Sequence, residues 1–181
     1  MRRGLVVLVL ATVGVFAALL RQSFQNPAWG WWLRLGVLIT VIGSAAGGSM
    51  LQKTPYAVGG HTVGAADGGP GLPGTGWSTE HGDLRIAHFT GLHGMQVLPF
   101  LGWLVSRRRY RTAVQTRFAF LAAGSYTALT LILWWQALRG QSIVAPDAAT
   151  LIALAFWLAG TGLGVLLAQA EGRMETARNM A

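Results

Sequence analysis

Apolar residues in this chain come in long unbroken runs rather than in the alternation of a strand or the stripe of a surface helix. Five runs stand out, at 5–20, 31–51, 86–105, 118–138 and 148–169. Each approaches or exceeds the roughly 20 residues that carry a helix across the hydrocarbon core of a bilayer. The pattern predicts an all-α membrane protein, a bundle of about five transmembrane helices forming one domain over 1–181. Polar positions gather in the connections. The only long connection is 52–85, where Gly59-Gly60-His61-Thr-Val-Gly64 and Asp67-Gly-Gly-Pro70-Gly-Leu-Pro73-Gly-Thr-Gly76-Trp77 break helix and strand alike. Tyr56, Val58, Leu72 and Trp77 are poor residues for a flexible extracellular linker, and turns at His61 and Asp67 can order it. The expectation is a lid folded back over the outer mouth of the helices.

Composition agrees, with 52% hydrophobic and 11% charged residues, against roughly 25% charged in soluble domains. The net charge of +8 raises a nucleic-acid partner, but the basic residues cluster at the ends of apolar runs. Arg107, Arg108, Arg109, Arg111 and Arg117 mark a cytoplasmic loop, so the expected partner is the lipid bilayer and not nucleic acid. That loop follows the third crossing, which puts the N-terminus outside and the C-terminus in the cytoplasm. Arg2 and Arg3 pull the other way. The first run, closed by Arg21, reads as a retained helix rather than a cleaved signal peptide. The absence of cysteine excludes disulfides, thiolate metal sites and cysteine nucleophiles.

The third run carries the chemistry, in His88-Phe-Thr-Gly-Leu-His93-Gly-Met-Gln96-Val-Leu-Pro99. Polar groups at membrane depth cost free energy, so their presence marks a functional site. At about 100° per residue His88 and His93 project ~140° apart with Gln96 between them. Two metal ligands from one helix normally stand three or four residues apart, so this pair needs a distorted helix. Pro99 removes the hydrogen bond to the Met95 carbonyl and makes irregularity expected. In the proposed topology His88 and His93 lie in the outer half of the membrane, below the loop histidines His61 and His81. The four are candidate metal ligands. The reading is a membrane redox protein in which His93, the deepest, is the first-choice ligand of a haem or other metal centre, His88 or a loop histidine the second, and Gln96 the orienting group. A quinone head group suits the same arrangement.

Two other readings stand beside that one. His88, His93 and Gln96 can simply hydrogen-bond a neighbouring helix, for instance at Ser125, Tyr126, Thr127 or Gln136. That reading makes the chain a non-catalytic accessory or scaffold subunit, mated with another membrane protein or with its own copy. Alternatively, Glu80, His81 and Asp83 at the helix mouth suit a metal-dependent membrane hydrolase. Asp83 fits equally as the N-cap of the third helix with Arg85 as its local partner. Asp147 reads as the N-cap of the fifth. Trp29, Trp31, Trp32, Trp134 and Trp135 read as interfacial belts, and the glycines at 43–48 and 160–164 as close helix contacts. No nucleophile elbow, phosphate loop or dinucleotide fingerprint is present.

The pattern His61-Thr-Val-Gly, Asp67-Gly-Gly-Pro-Gly-Leu-Pro73, Gly76-Trp77-Ser-Thr, Gly82-Asp83-Leu-Arg85, His88-Phe, Gly91-Leu-His93, Gln96 and Leu98-Pro99 resembles that of a family of small uncharacterised bacterial integral-membrane proteins. It covers about 40 residues. The resemblance implies a multi-pass protein of the bacterial inner membrane in which loop and third helix form one unit, and it brings no activity with it.

Overall fold

The computed structural model describes residues 2–51, 60–108 and 110–178. Tyr56, Val58, Gly59 and Arg109, named above, lie outside them. The described residues are mostly helical, with α1 (Arg2–Arg21), α2 (Pro27–Ser49), α3 (Leu84–Leu92), α4 (Gly94–Ser106), α5 (Thr112–Leu138) and α6 (Ala148–Arg178). Two short strands, β1 (Thr62–Val63) and β2 (Gly82–Asp83), pair antiparallel. Among the described residues three helices are long and apolar enough to cross a membrane: α2, α5, and α6 over Ala148–Gly172. α2 lies at the centre, against α1, α3, α4 and α5, while α6 packs on α5.

α2 begins before the apolar run does because its cap comes first. The Asn26 side chain accepts the Ala28 amide at 3.0 Å, and Pro27 fills the first helical position, where no amide hydrogen is needed. Asn26→Ala is expected to cost about 1 kcal/mol, read as a lower unfolding midpoint in detergent. Arg34 of α2 closes the end of α1. Its Nε donates to the Leu19 carbonyl at 2.9 Å and its Nη2 to the Gln22 carbonyl at 2.8 Å, meeting acceptors that a helix C-terminus leaves free. At the start of α6, Asp147 accepts the Thr150 amide at 2.8 Å and pairs with Arg139 at 2.7 Å. The Arg139 guanidinium is the larger reason that the Asp147 carboxyl lies well below the usual carboxylate range, followed by the Thr150 amide.

A seam of small residues joins α2 to α3 and α4. Gly36, Thr40, Gly43 and Gly47 recur every three or four positions and share one face of α2. A Cβ on Gly36 would stand 2.9 Å from the Gly94 carbonyl oxygen, and one on Gly43 would fall on the backbone of Gly91 and Leu92. Backbone therefore meets backbone. The second glycine stretch behaves differently. Gly160 and Gly162 have nothing within 4 Å, and only Gly164 faces a neighbour, Leu121. Trp32 also departs from the belt reading. It is buried in the core against Gly102, whereas Trp135 is exposed with Arg139 over its ring at 3.8 Å.

The run expected as one third helix is two, separated at His93. The break falls between Gly91 and Gly94, not at Pro99, which sits inside α4. The Gln96 and Val97 amides both turn to the His93 carbonyl, at 3.0 and 2.9 Å. The Leu92 carbonyl accepts instead from the Thr40 hydroxyl of α2 at 3.3 Å. A helix interruption is tolerated when neighbouring side chains recover the freed groups.

Residues 60–83 fold onto one end of the helices. A hairpin closes through Leu72 N to Trp77 O and Gly76 N to Leu72 O, both 2.8 Å, and β1–β2 anchor it to the start of α3. Val63 and Leu84 pack with Ala137 of α5. Gly82 lies so close to the Ala137 carbonyl that no side chain fits there. The Ser142 hydroxyl donates to the Ser78 carbonyl at 3.2 Å, while Gln136 donates to the Ser142 carbonyl at 2.8 Å.

Candidate functional site

Asp83 is the residue on which this cap segment and α3 meet. Its side chain is completely buried. Oδ1 accepts the Arg85 amide at 3.0 Å, capping α3, and Oδ2 accepts the Ser78 amide at 2.9 Å and Arg85 Nη2 at 2.6 Å. The same Nη2 donates to the Gly76 carbonyl at 2.6 Å, which ties the hairpin to the helix. His61 Nδ1 lies 3.8 Å from Asp83 and 3.4 Å from Asp67, whose carboxylate also accepts the Thr62 amide at 2.9 Å. Burial alone would raise the Asp83 carboxyl, but the Arg85 guanidinium and the two amides outweigh it and hold the group below the usual carboxylate range. Asp67 is lowered in the same way, burial again opposed by the Thr62 donors and by His61.

His61 and His81 share a pocket of about 200 Å³ with Glu80, Ser78 and Arg85. Both oxygens of Asp83 are engaged with Arg85 and the two amides, which leaves the carboxylate no free acceptor for the hydrolase role. Among the described residues no three His, Asp or Glu side chains are placed to hold one metal ion.

The two histidines, one on α3 and one at its junction with α4, point different ways. His88 faces α2. Its Nδ1 is 2.8 Å from the Gly43 carbonyl, and a Cβ on Gly47 would stand 2.5 Å from that same nitrogen. His93 faces away from α2, its Nδ1 2.8 Å from the Phe89 carbonyl of its own helix. Because a carbonyl can only accept, both rings carry a hydrogen on Nδ1 and keep Nε2 as the second nitrogen. Gln96 is exposed, its carboxamide 3.2 and 3.3 Å from the carbonyls of His93 and Leu92 when the amide nitrogen faces them. Of the α5 side chains named above as partners for these groups, Ser125, Tyr126 and Gln136 are engaged elsewhere. Tyr126 donates to the Thr90 carbonyl at 2.7 Å and Ser125 bonds Thr161 at 2.8 Å.

His93 and Gln96 belong to an outward stripe that the polar residues alone did not reveal. Trp77 of the hairpin meets Phe89 edge-on at 5.8 Å, and Phe89 lies 4.0 Å from the His93 ring. Farther along, Phe100 stacks on Trp103 at 5.8 Å and Arg107 lies over Trp103 at 4.1 Å. Positions 93, 96, 100 and 103 alternate steps of three and four along α4 and its N-cap, a spacing that marks one helix face, and Phe89 joins them across the break through its contact with the His93 ring. Phe89, Phe100 and Trp103 are all exposed. No protein-family model, no curated protein and no solved structure matches this chain.

Proposed function

We propose that the chain is a five-crossing protein of the bacterial inner membrane, with α3 and α4 together forming the third crossing and the C-terminus in the cytoplasm. It serves as an accessory subunit that mates with another membrane helix through the stripe at 89, 93, 96, 100 and 103. One observation carries this reading: the exposed Gln96 and the half-buried His93, packed on the exposed Phe89 ring, lie on the outward side of the apolar α3–α4 segment. An imidazole and a carboxamide set against hydrocarbon are expensive, and polar groups in such a place pair across helices. The aromatic rings on either side supply the packing surface. The experiment is site-specific photocrosslinking in native membranes, with a benzophenone side chain at Gln96 and, as control, at Leu151, an exposed position of α6. A discrete adduct from position 96 alone, weakened by His93→Ala, is the expected result. Equal labelling at both positions, or none, overturns it.

A haem, another metal centre or a quinone head group is the second reading. Its support is that both imidazoles hold a carbonyl through Nδ1, the arrangement that orients Nε2 toward a ligand. Since His93 faces outward, a second chain would complete such a site. A Soret band in the purified protein that disappears in His93→Ala would establish it.

A further inference from the structure

Between α2, α4, α5 and α6 lies a cavity of about 340 Å³. Trp32, Leu101, Val105, Phe118, Leu121 and Trp157 form most of its wall. The polar atoms that reach it are engaged elsewhere. The Ser125 and Thr161 hydroxyls bond each other at 2.8 Å, Trp157 Nε1 donates to the Ser125 carbonyl at 2.8 Å, and the Tyr126 hydroxyl is held by Thr90. The wall is therefore apolar apart from three hydroxyls already bonded to protein, and its occupant is aliphatic. An empty apolar cavity of this size forfeits the dispersion contacts of its lining, whereas a bilayer supplies hydrocarbon to fill it.

The position of the cavity says what is attached to that hydrocarbon. Val105 and Phe118 flank the arginine-rich turn between α4 and α5, and the Tyr110 ring of that turn lies tilted against Phe118 at 5.5 Å. Arg111 precedes Phe118 by about 10 Å of helix at 1.5 Å per residue, comparable to the depth from headgroup to acyl chain. Arg117 is paired with Glu171 and Arg107 lies over Trp103. Arg108 and Arg111 are exposed at the same end. Basic clusters between helices on the cytoplasmic side recognise anionic headgroups. From this juxtaposition we infer that the cavity seats one acyl chain of an anionic phospholipid, with Arg108 and Arg111 on its phosphate. The inference rests on the membrane reading above but not on the subunit role.

The test titrates delipidated protein in mild detergent with phosphatidylglycerol and, separately, phosphatidylcholine of the same chains, counting bound lipid by native mass spectrometry. The wild type is expected to retain one phosphatidylglycerol, preferred by about tenfold. Arg108→Gln with Arg111→Gln removes the preference but keeps acyl binding. Ala122→Phe, or Val165→Phe on α6 if the first variant does not accumulate, fills the cavity and removes both lipids. Equal retention of the two lipids by the wild type overturns the inference, as does a retained adduct in the filled variants. Release of the full-length protein from membranes by alkaline carbonate would instead overturn the membrane reading.

Discussion

Gly43→Ala is expected to destabilise the folded chain by about 3 kcal/mol, although the same substitution normally strengthens a helix by ~1 kcal/mol. A Cβ at this position would stand 2.5 Å from the Gly91 carbonyl carbon and 2.8 Å from its Cα, with the Leu92 amide closer still. Backbone cannot rotate aside as the end of a side chain can, so α2 and α3 must separate. Separation also pulls the Thr40 hydroxyl from the Leu92 carbonyl and His88 from the Gly43 carbonyl. Gly91→Ala should act alike, since its Cβ would meet Gly43 N at 2.7 Å. Gly48, in the same small-residue stretch, has nothing within 4 Å. Gly48→Ala is therefore expected to be neutral or stabilising. Thermal unfolding of the three variants in one detergent compares them directly, and equal midpoints for Gly43→Ala and Gly48→Ala would refute this account of the seam.

Those glycines show how far the sequence could be read. The long helices were legible because hydrocarbon demands long apolar runs, and such runs need no partner to be recognised. Close packing at 43–48 was legible for Gly43 and Gly47, but 160–164 also holds three glycines and mostly faces outward. Composition does not say which neighbour a helix face meets. The break at His93 was hidden for a related reason. Pro99 was the visible irregularity, yet the helix interrupts where Thr40, from a distant part of the chain, can take up the Leu92 carbonyl. Asp83 and Asp147 were legible as caps because a cap acts within a few residues of its own helix. The candidate site was legible in its residues and not in its geometry. His88 and His93 stand five apart, and the ~140° between them becomes a real division between an inward and an outward face. The outward stripe had a signal at 89, 93, 96, 100 and 103, but it becomes visible only when aromatic and polar residues are counted together.

The cap segment rests on one charge, and removing it should have the second largest effect. Asp83→Asn keeps the shape of the side chain but replaces an oxygen by a donor opposite Arg85 and the Ser78 amide. Removing one partner of a buried ion pair costs about 3–5 kcal/mol, and here the N-cap of α3 weakens as well. The loss should appear first as protease cleavage within 60–83 and a changed emission from Trp77. Its pH dependence distinguishes a lost charge from mere misfit. The folded Asp83 carboxyl lies below its ordinary 3.8, so between the two values the unfolded chain binds the extra proton. The stabilisation is fully present above the unfolded value and is lost as pH falls through the folded one. Asp67 follows the same rule but is present in both proteins and largely cancels from their difference. Wild type and Asp83→Asn should therefore differ most near neutral pH and converge in acid below 3.8. A stability gap that stays constant down to that range would mean that the carboxylate holds the cap by shape and not by charge.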